Sequence, residues 1–209
     1  MSATDANRLT LYGSCDSGNC LKPRWIADAL GVAYDWVEID LFQGGTRTEN
    51  FLAMNPTGQV PLARWPDGRA LPESNAIMLH LAEEAGSDLI PEDSFRRAQM
   101  MSWLFWEQSS HEPYIAVRRS QLKFLGADPA TVDPDLLTRG RRALGVMELQ
   151  LTYTEWLVGD APTLADAALV AYTRVAHEGG FDLSEFPSVE RWVSRCEAWL
   201  GLPSAKEAA

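Results

Sequence analysis

Basic residues are in short supply: 18 Lys and Arg stand against 29 Asp and Glu, a formal net charge of −11. That balance argues against general nucleic-acid binding, which needs cations to neutralise phosphates. Cysteine is sparse as well. Cys15, Cys20 and Cys196 cannot all pair, and a chain of 209 residues needs no disulfides to fold. A reducing, cytoplasmic compartment is therefore expected. Neither the cysteines nor His80, His111 and His177 show metal-ligand spacing, so no metal is expected. Long hydrophobic runs are also missing. No apolar stretch approaches the ~20 residues that cross a bilayer, and Met1–Asn7 lacks the basic start and apolar stretch of a secretory signal. No membrane partner is expected. What is present is ordinary for a globular protein, with 46% hydrophobic and 22% charged residues.

The pattern changes character near residue 87. Arg8–Gly13 alternates like a first strand and ends on glycine. Residues 18–30 then place Leu21, Trp25, Ile26, Ala29 and Leu30 at helical spacing, closed by Gly31. Tyr34–Asp40 alternates again, and a helical stretch follows around Thr46–Met54. Val60–Trp65 reads as a strand, Pro66-Asp67-Gly68 as its turn and Arg69–Leu71 as its hairpin partner. Ser74 opens a helix that buries Ala76, Ile77, Leu79 and Leu81. In this β-α-β-α-β-β-α order, two βα units imply parallel pairing through right-handed crossovers, and the hairpin adds an antiparallel pair.

Beyond Gly86-Ser87-Asp88 no strand pattern appears. Residues 93–124, 134–157, 163–177 and 187–200 read as helices, with Pro113 expected to kink or interrupt the first. Thr163-Leu164-Ala165-Asp166 has the spacing of a helix N-cap, whose function is structural. The expectation is a small α/β domain over residues 1–86 joined to an all-helical one over 87–209.

Three stretches offer chemistry. Ser14-Cys15-Asp16-Ser17-Gly18-Asn19-Cys20-Leu21-Lys22 lies between the first strand and first helix. There a helix N-terminus favours an anion, and Ser17 and Asn19 serve equally as donors to it or as simple caps. Asn55-Pro56-Thr57-Gly58-Gln59-Val60-Pro61 brings a proline to a strand start. A cis Val60-Pro61 bond would leave the Val60 main chain open to an added peptide strand, and the residues alone leave cis or trans undecided. Glu73 and Ser74 match the ammonium and carboxylate of an amino acid, or else open a helix in the usual way.

Taken jointly, these stretches resemble the cytosolic glutathione transferase family over nearly the whole chain. The Asn55-Pro56-x-Gly58-x-Val60-Pro61 and Glu73-Ser74-Asn75-Ala76-Ile77 segments carry the likeness, with Thr163-Leu164-Ala165-Asp166 similar to the family's capping motif. The resemblance implies a thioredoxin-like N-terminal domain followed by a helical C-terminal domain. It implies a cytoplasmic homodimer acting in detoxification, with glutathione as co-substrate. Gln59, Val60 and Pro61 then form the step that pairs with the cysteinyl part, Val60-Pro61 being cis. Glu73 and Ser74 hold the γ-glutamyl end, and Lys22 and Arg47 lend positive charge. Ser17-Gly18-Asn19-Cys20-x-Lys22 is similar to bacterial, serine-type members, which makes Ser17 and Asn19 the catalytic donors to the thiolate and Tyr12 a strand residue. Pro23 departs from the family, which usually has a longer apolar residue there.

The implied electrophile pocket draws on Trp103, Trp106, His111 and Tyr114, while Arg118 and Arg119 are either solvated or soften the field for an anionic substrate. Two readings compete with conjugation of a small hydrophobic electrophile. In one, Cys20, its pKa lowered at a helix start, carries disulfide reduction or peroxidase chemistry; against it stands a plain buried cysteine, and Cys15 matters in the same way. In the other, the chain is a non-catalytic binding module on the same fold.

Overall fold

The computed structural model describes residues 8–205. The chain divides into two compact units, Met1–Ser87 and Asp88–Ala209.

The first unit is built on a four-stranded sheet in the order β2-β1-β3-β4. Its strands are β1 (Leu9–Gly13), β2 (Tyr34–Glu38), β3 (Leu62–Arg64) and β4 (Ala70–Pro72). β1 shows the two-residue period of a pleated strand: Leu9, Leu11 and Gly13 are buried, while Thr10 and Tyr12 are half-buried. Helices α1 (Gly18–Ala29) and α3 (Ser74–Glu84) pack on each other and against the sheet, enclosing Leu11, Ile26, Ala63, Ile77 and Met78. Tyr12 points the other way and meets Phe51 of α2 (Glu49–Met54) edge-on at 6.3 Å.

The expected pairing is half right. β1 and β2 run parallel, with Leu11 opposite Trp36, but β3 lies antiparallel to β1, with Leu11 opposite Ala63. Only the first βα unit is therefore a parallel crossover. The α2 segment returns the chain to the far side of β1 in the opposite direction, and a period-two pattern fixes which face a residue takes without fixing strand polarity. Pro23 does not end α1, which runs through it to Ala29.

The second unit is helical among its described residues. The first long stretch is α4 (Ser94–Trp106), a wide π-type turn at Glu107–His111, α5 (Glu112–Arg119) and a second such turn at Ser120–Phe124. The interruption falls where Pro113 demands it. With no N–H at 113, the helix widens, and the Glu112 N–H reaches back five residues to the Glu107 carbonyl. Then come α6 (Pro134–Tyr153), α7 (Leu164–Thr173) and α8 (Pro187–Trp199).

Every residue of α7 is buried, and its start is the best-anchored point of the unit. Asp166 accepts from the Thr163 N–H at 2.9 Å, the Thr163 hydroxyl at 3.1 Å, the Leu157 N–H at 3.0 Å and the Trp192 indole at 2.9 Å. The expected cap is present, and it also ties α7 to α8 and to the preceding loop. No helix among the described residues is long and apolar enough to cross a membrane.

Candidate functional site

β1 ends at Gly13, and the chain turns through Ser14–Ser17, where the Ser17 N–H donates to the Ser14 carbonyl at 3.1 Å. Gly13 is required by close packing: a Cβ there would stand 2.8 Å from Cys20 Cβ and 2.6 Å from the Trp36 ring. Ser17 is the N-cap of α1 by backbone, its carbonyl accepting from the Cys20 and Leu21 N–H groups at 3.0 Å each. Its half-buried hydroxyl makes no capping bond and instead hydrogen-bonds the Cys20 sulfur. Capping thus leaves that hydroxyl for other work.

Asn19, one residue into α1, joins segments far apart in the chain. Its Oδ1 accepts from Lys22 Nζ at 2.7 Å and from Ser74 Oγ at 3.5 Å, across 55 residues of sequence. The two helix starts, each explicable alone as capping, therefore meet. Lys22 is fully buried. It supports Asn19 from within the unit and is no surface patch, which corrects the expectation for it. Ser74 is buried at the first position of α3. Glu73 before it holds φ +74°, the only positive value at a non-glycine residue among those described. Such a backbone costs about 1–3 kcal/mol and persists where surrounding structure enforces it, often at ligand sites.

The third segment is held by Asn55, which is buried. Its Nδ2 donates to the Gln59 carbonyl at 2.7 Å, and its Oδ1 accepts from the Thr57 N–H at 3.2 Å and hydroxyl at 2.9 Å. Val60-Pro61 is cis, as the family resemblance implied, and the half-buried Val60 lies outside the ladder that begins at Leu62. Arg47 Nη1 donates to the Thr57 carbonyl at 3.4 Å, which sets its charge beside this loop. Asn55 escaped sequence reading as a site residue, though an Asn two residues before a Thr is a turn signal.

The expectation that a helix start lowers the Cys20 pKa is overturned. Burial pushes that thiol up to about 11, outweighing the hydrogen bonds from Ser17 and Ser14. Cys20 is the buried small residue of the plainer reading, packed on Gly13. Cys15 is exposed, with Arg24 Nη1 3.3 Å from its sulfur. Its pKa is raised too, by partial burial and then by Glu38. Neither thiol is poised as a nucleophile.

In the second unit Trp106 and Tyr114 do share a cleft, of about 480 Å³, with Ser110, Arg139, Arg142 and Val146. Trp103 supports Trp106 edge-on at 5.2 Å. His111 does not belong to that lining. It is fully buried, and its Nε2 meets Thr173 Oγ1 at 2.9 Å. The Thr173 hydroxyl gives its one proton to the Leu169 carbonyl at 2.7 Å, so the His111 Nε2–H is the donor between them. Arg118 and Arg119 are likewise structural. Arg118 Nε donates to the Gly179 carbonyl at 2.8 Å, Arg119 is bridged to Glu178, and both are buried. Arg139 and Arg142 went unnoticed in the sequence, although with Val146 they follow the three- and four-residue spacing of one helix face. Among the described residues no group of three or more His, Cys, Asp or Glu is arranged to hold a metal ion.

A sheet of this topology bearing a cis-proline loop and a serine-led helix start, followed by a helical unit with a buried capping box, is the architecture of the glutathione transferase family. Residues 11–88 match the family model for the glutathione S-transferase N-terminal domain, and residues 107–199 that for the C-terminal domain. The chain belongs to this family. It is similar to the crystal structure of a glutathione S-transferase from Pseudomonas fluorescens, with 44% identity, 91% of this chain and 94% of that one covered, and a TM-score of 0.87. A glutathione S-transferase from Xanthobacter autotrophicus matches at 44% identity over 96% of this chain and 100% of its own, with a TM-score of 0.86. Ure2p in complex with glutathione matches at 27% identity over 98% and 94%, with a TM-score of 0.83. The transcriptional regulator URE2 of Saccharomyces cerevisiae is 27% identical over 88% of this chain and 63% of its own length. The chain thus spans less than two thirds of the length of this regulator and of the URE2 protein of Eremothecium gossypii, 63% of each.

Proposed function

We propose that the chain is a glutathione transferase that keeps bound glutathione as thiolate and conjugates it to a small hydrophobic electrophile. The observation that carries this reading is the 3.5 Å approach of Ser74 Oγ to Asn19 Oδ1, which makes one site of two separately explicable helix starts. Glu73 and Ser74 hold the γ-glutamyl end. The Gln59-Val60-Pro61 main chain pairs with the cysteinyl part, and Arg47 supplies charge for an anionic ligand on a chain of net −11. Lys22 acts through Asn19. With Oδ1 accepting from Lys22 and Ser74, the Asn19 amide presents its Nδ2 as donor, and the Ser17 hydroxyl turns from the Cys20 sulfur to the ligand sulfur.

The magnitudes suffice. A thiol of pKa ~8.5 is only about 3% ionised at pH 7. Lowering that pKa by ~2 units needs ~2.7 kcal/mol of preference for the anion, and two donors to a charged sulfur supply ~1.5–3 kcal/mol each. The thiolate then forms a C–S bond while the leaving group departs with its electron pair, and proximity does most of the remaining work. Trp106 and Tyr114 take the electrophile, and the functional unit is a cytoplasmic homodimer.

A second reading, a non-catalytic module, is favoured by the likeness to a transcriptional regulator. Disulfide chemistry carried by Cys20 has burial and a pKa near 11 against it. Titration of the ultraviolet thiolate absorbance of bound glutathione decides between the first two. Wild type should ionise its ligand near neutral pH, and Ser17→Ala should bind glutathione yet lose most of the thiolate. Ionisation unchanged in Ser17→Ala removes Ser17 from the chemistry. No calorimetric heat with millimolar glutathione favours the module.

A further inference from the structure

The helical unit holds another cavity, of about 350 Å³, that shares no residue with the cleft of Trp106 and Tyr114. One wall is a face of α8, where Glu190, Val193, Ser194 and Glu197 recur at three- and four-residue spacing. The chain after α7 supplies Phe181, Asp182 and Leu183, and Ala205 completes the lining. These walls are firm. Phe181 is buried, and its ring fills the space that a Cβ on Gly140 or Gly179 would need. Arg174 and Glu197 clasp the segment after α8: Arg174 Nε donates to Glu197 Oε1 at 2.9 Å, Arg174 Nη2 to the Pro203 carbonyl at 2.5 Å, and the Ala205 N–H to Glu197 Oε1 at 3.0 Å. One oxygen of Glu197 thus takes both bonds. The other, Oε2, accepts no hydrogen bond among the described residues and is not sealed from solvent, although the side chain is only 9% exposed. What stays open of Glu197 opens on the cavity it lines. Three carboxylates, Asp182, Glu190 and Glu197, stand there against the Arg174 guanidinium and His177. Arg174 is already engaged by Glu197 and Pro203, so the local balance is negative, and the net −11 of the chain adds to it.

We propose that this cavity binds small primary organic amines, an ammonium group carried on a short apolar body of one or two rings. An ammonium has three donors and no acceptor, which suits a wall made of acceptors. It meets Glu197 Oε2, the Glu190 carboxylate and the Ser194 hydroxyl oxygen. Ser194 gives its one proton to the Glu190 main-chain carbonyl at 3.2 Å, so towards a ligand it accepts. The apolar body lies on Phe181, Leu183 and Val193. A volume of about 350 Å³ is at the small end of ligand sites and sets the limit on that body. A ligand without a donor would cover a carboxylate oxygen and leave it unsatisfied, and an anion would meet three carboxylates. This site lies beyond the transferase reading and does not rest on it.

Calorimetric titration of the full chain with tryptamine, against tryptophol and indole-3-propionate, tests it. The three share one indole body and carry a cation, a neutral hydroxyl and an anion. Tryptamine should bind about tenfold more tightly than tryptophol, and the propionate should give no heat. Glu197→Gln keeps an oxygen for Arg174 and Ala205 but turns an amide donor to the cavity. It should weaken tryptamine about tenfold and leave tryptophol within about twofold. Glu190→Gln and Ser194→Ala should each weaken tryptamine about threefold, and they carry the test if Glu197→Gln fails to fold. Glu92→Gln, which removes the same charge from an exposed position of the same unit, should do nothing. Saturating glutathione should leave the tryptamine isotherm unchanged, since the cavity contains none of the candidate glutathione residues. Equal affinity for the amine and the alcohol overturns the proposal. So does displacement of tryptamine by glutathione, or tryptamine affinity unchanged in both Glu190→Gln and Ser194→Ala. Each of these outcomes leaves the Ser17 thiolate titration standing on its own.

Discussion

Replacing Asn19 by aspartate and by alanine separates the two tasks assigned to its amide. Asn19→Asp keeps an oxygen for Lys22 Nζ, 2.7 Å away, and for Ser74 Oγ at 3.5 Å, but exchanges the amide donor for a second, negatively charged acceptor. Asn19→Ala removes donor and acceptor together. Lys22 is fully buried, and a hydrogen bond to a charged group contributes ~1.5–3 kcal/mol. The Ser74 contact sits at the outer limit of hydrogen bonding and adds little. The alanine variant should therefore lose about 1.5–3 kcal/mol of unfolding free energy, and the aspartate variant much less. For chemistry the order reverses. Losing one donor to the thiolate should raise the bound thiol pKa by ~1–2 units in Asn19→Ala. The rise should be larger in Asn19→Asp, where like charge is added. Urea unfolding reads the first quantity and thiolate absorbance of bound glutathione the second. An aspartate variant that titrates like wild type would show that Asn19 does not face the sulfur. An alanine variant with an unchanged urea midpoint would show that the Lys22 bond supports nothing.

Asp166→Ala strands four donors, two of them backbone N–H groups. At ~1–3 kcal/mol for each unsatisfied group it should cost at least ~4 kcal/mol and melt the helical unit by circular dichroism, and a loss under ~1 kcal/mol would refute the accounting. Glu73→Gly relieves the positive φ and should hold or raise stability while weakening glutathione about tenfold in calorimetry; a less stable variant would contradict the strain at Glu73. Alkaline pH should destabilise the fold through Cys20. Its folded pKa of about 11 exceeds the ordinary 9.0, so the unfolded chain sheds its proton first. Stability from this thiol is complete below pH ~9 and lost toward pH 11, by up to about 2.7 kcal/mol, with Cys196 acting in the same direction. Cys20→Ala should flatten that slope in urea titrations run across the range, and an unchanged slope would count against the assignment.

Local chemistry made much of this protein legible. The alternation of β1, the turn Pro66-Asp67-Gly68, the cap at Thr163 and the break forced by Pro113 are each set by a few adjacent residues. Such features depend on backbone sterics and on donors that local side chains satisfy. Where charge and burial oppose each other, the sequence misleads. Lys22 looks like a surface cation but lies inside because Asn19 meets its Nζ. His111 sits on an aromatic stripe, yet its partner Thr173 lies 62 residues on. Cys20 stands where a helix dipole should lower its pKa, but the wall of Gly13 and Trp36 excludes water and raises it.

The sequence by itself determined which segments are helix or strand, which faces are apolar and which short motifs cap or turn, since these are interactions between near neighbours. Tertiary structure alone decided the polarity of β3, the meeting of Asn19 with Ser74 and the pairing of Arg139 with Tyr114. Each depends on where distant parts of the chain come to rest. A pattern of adjacent residues carries no distance between them.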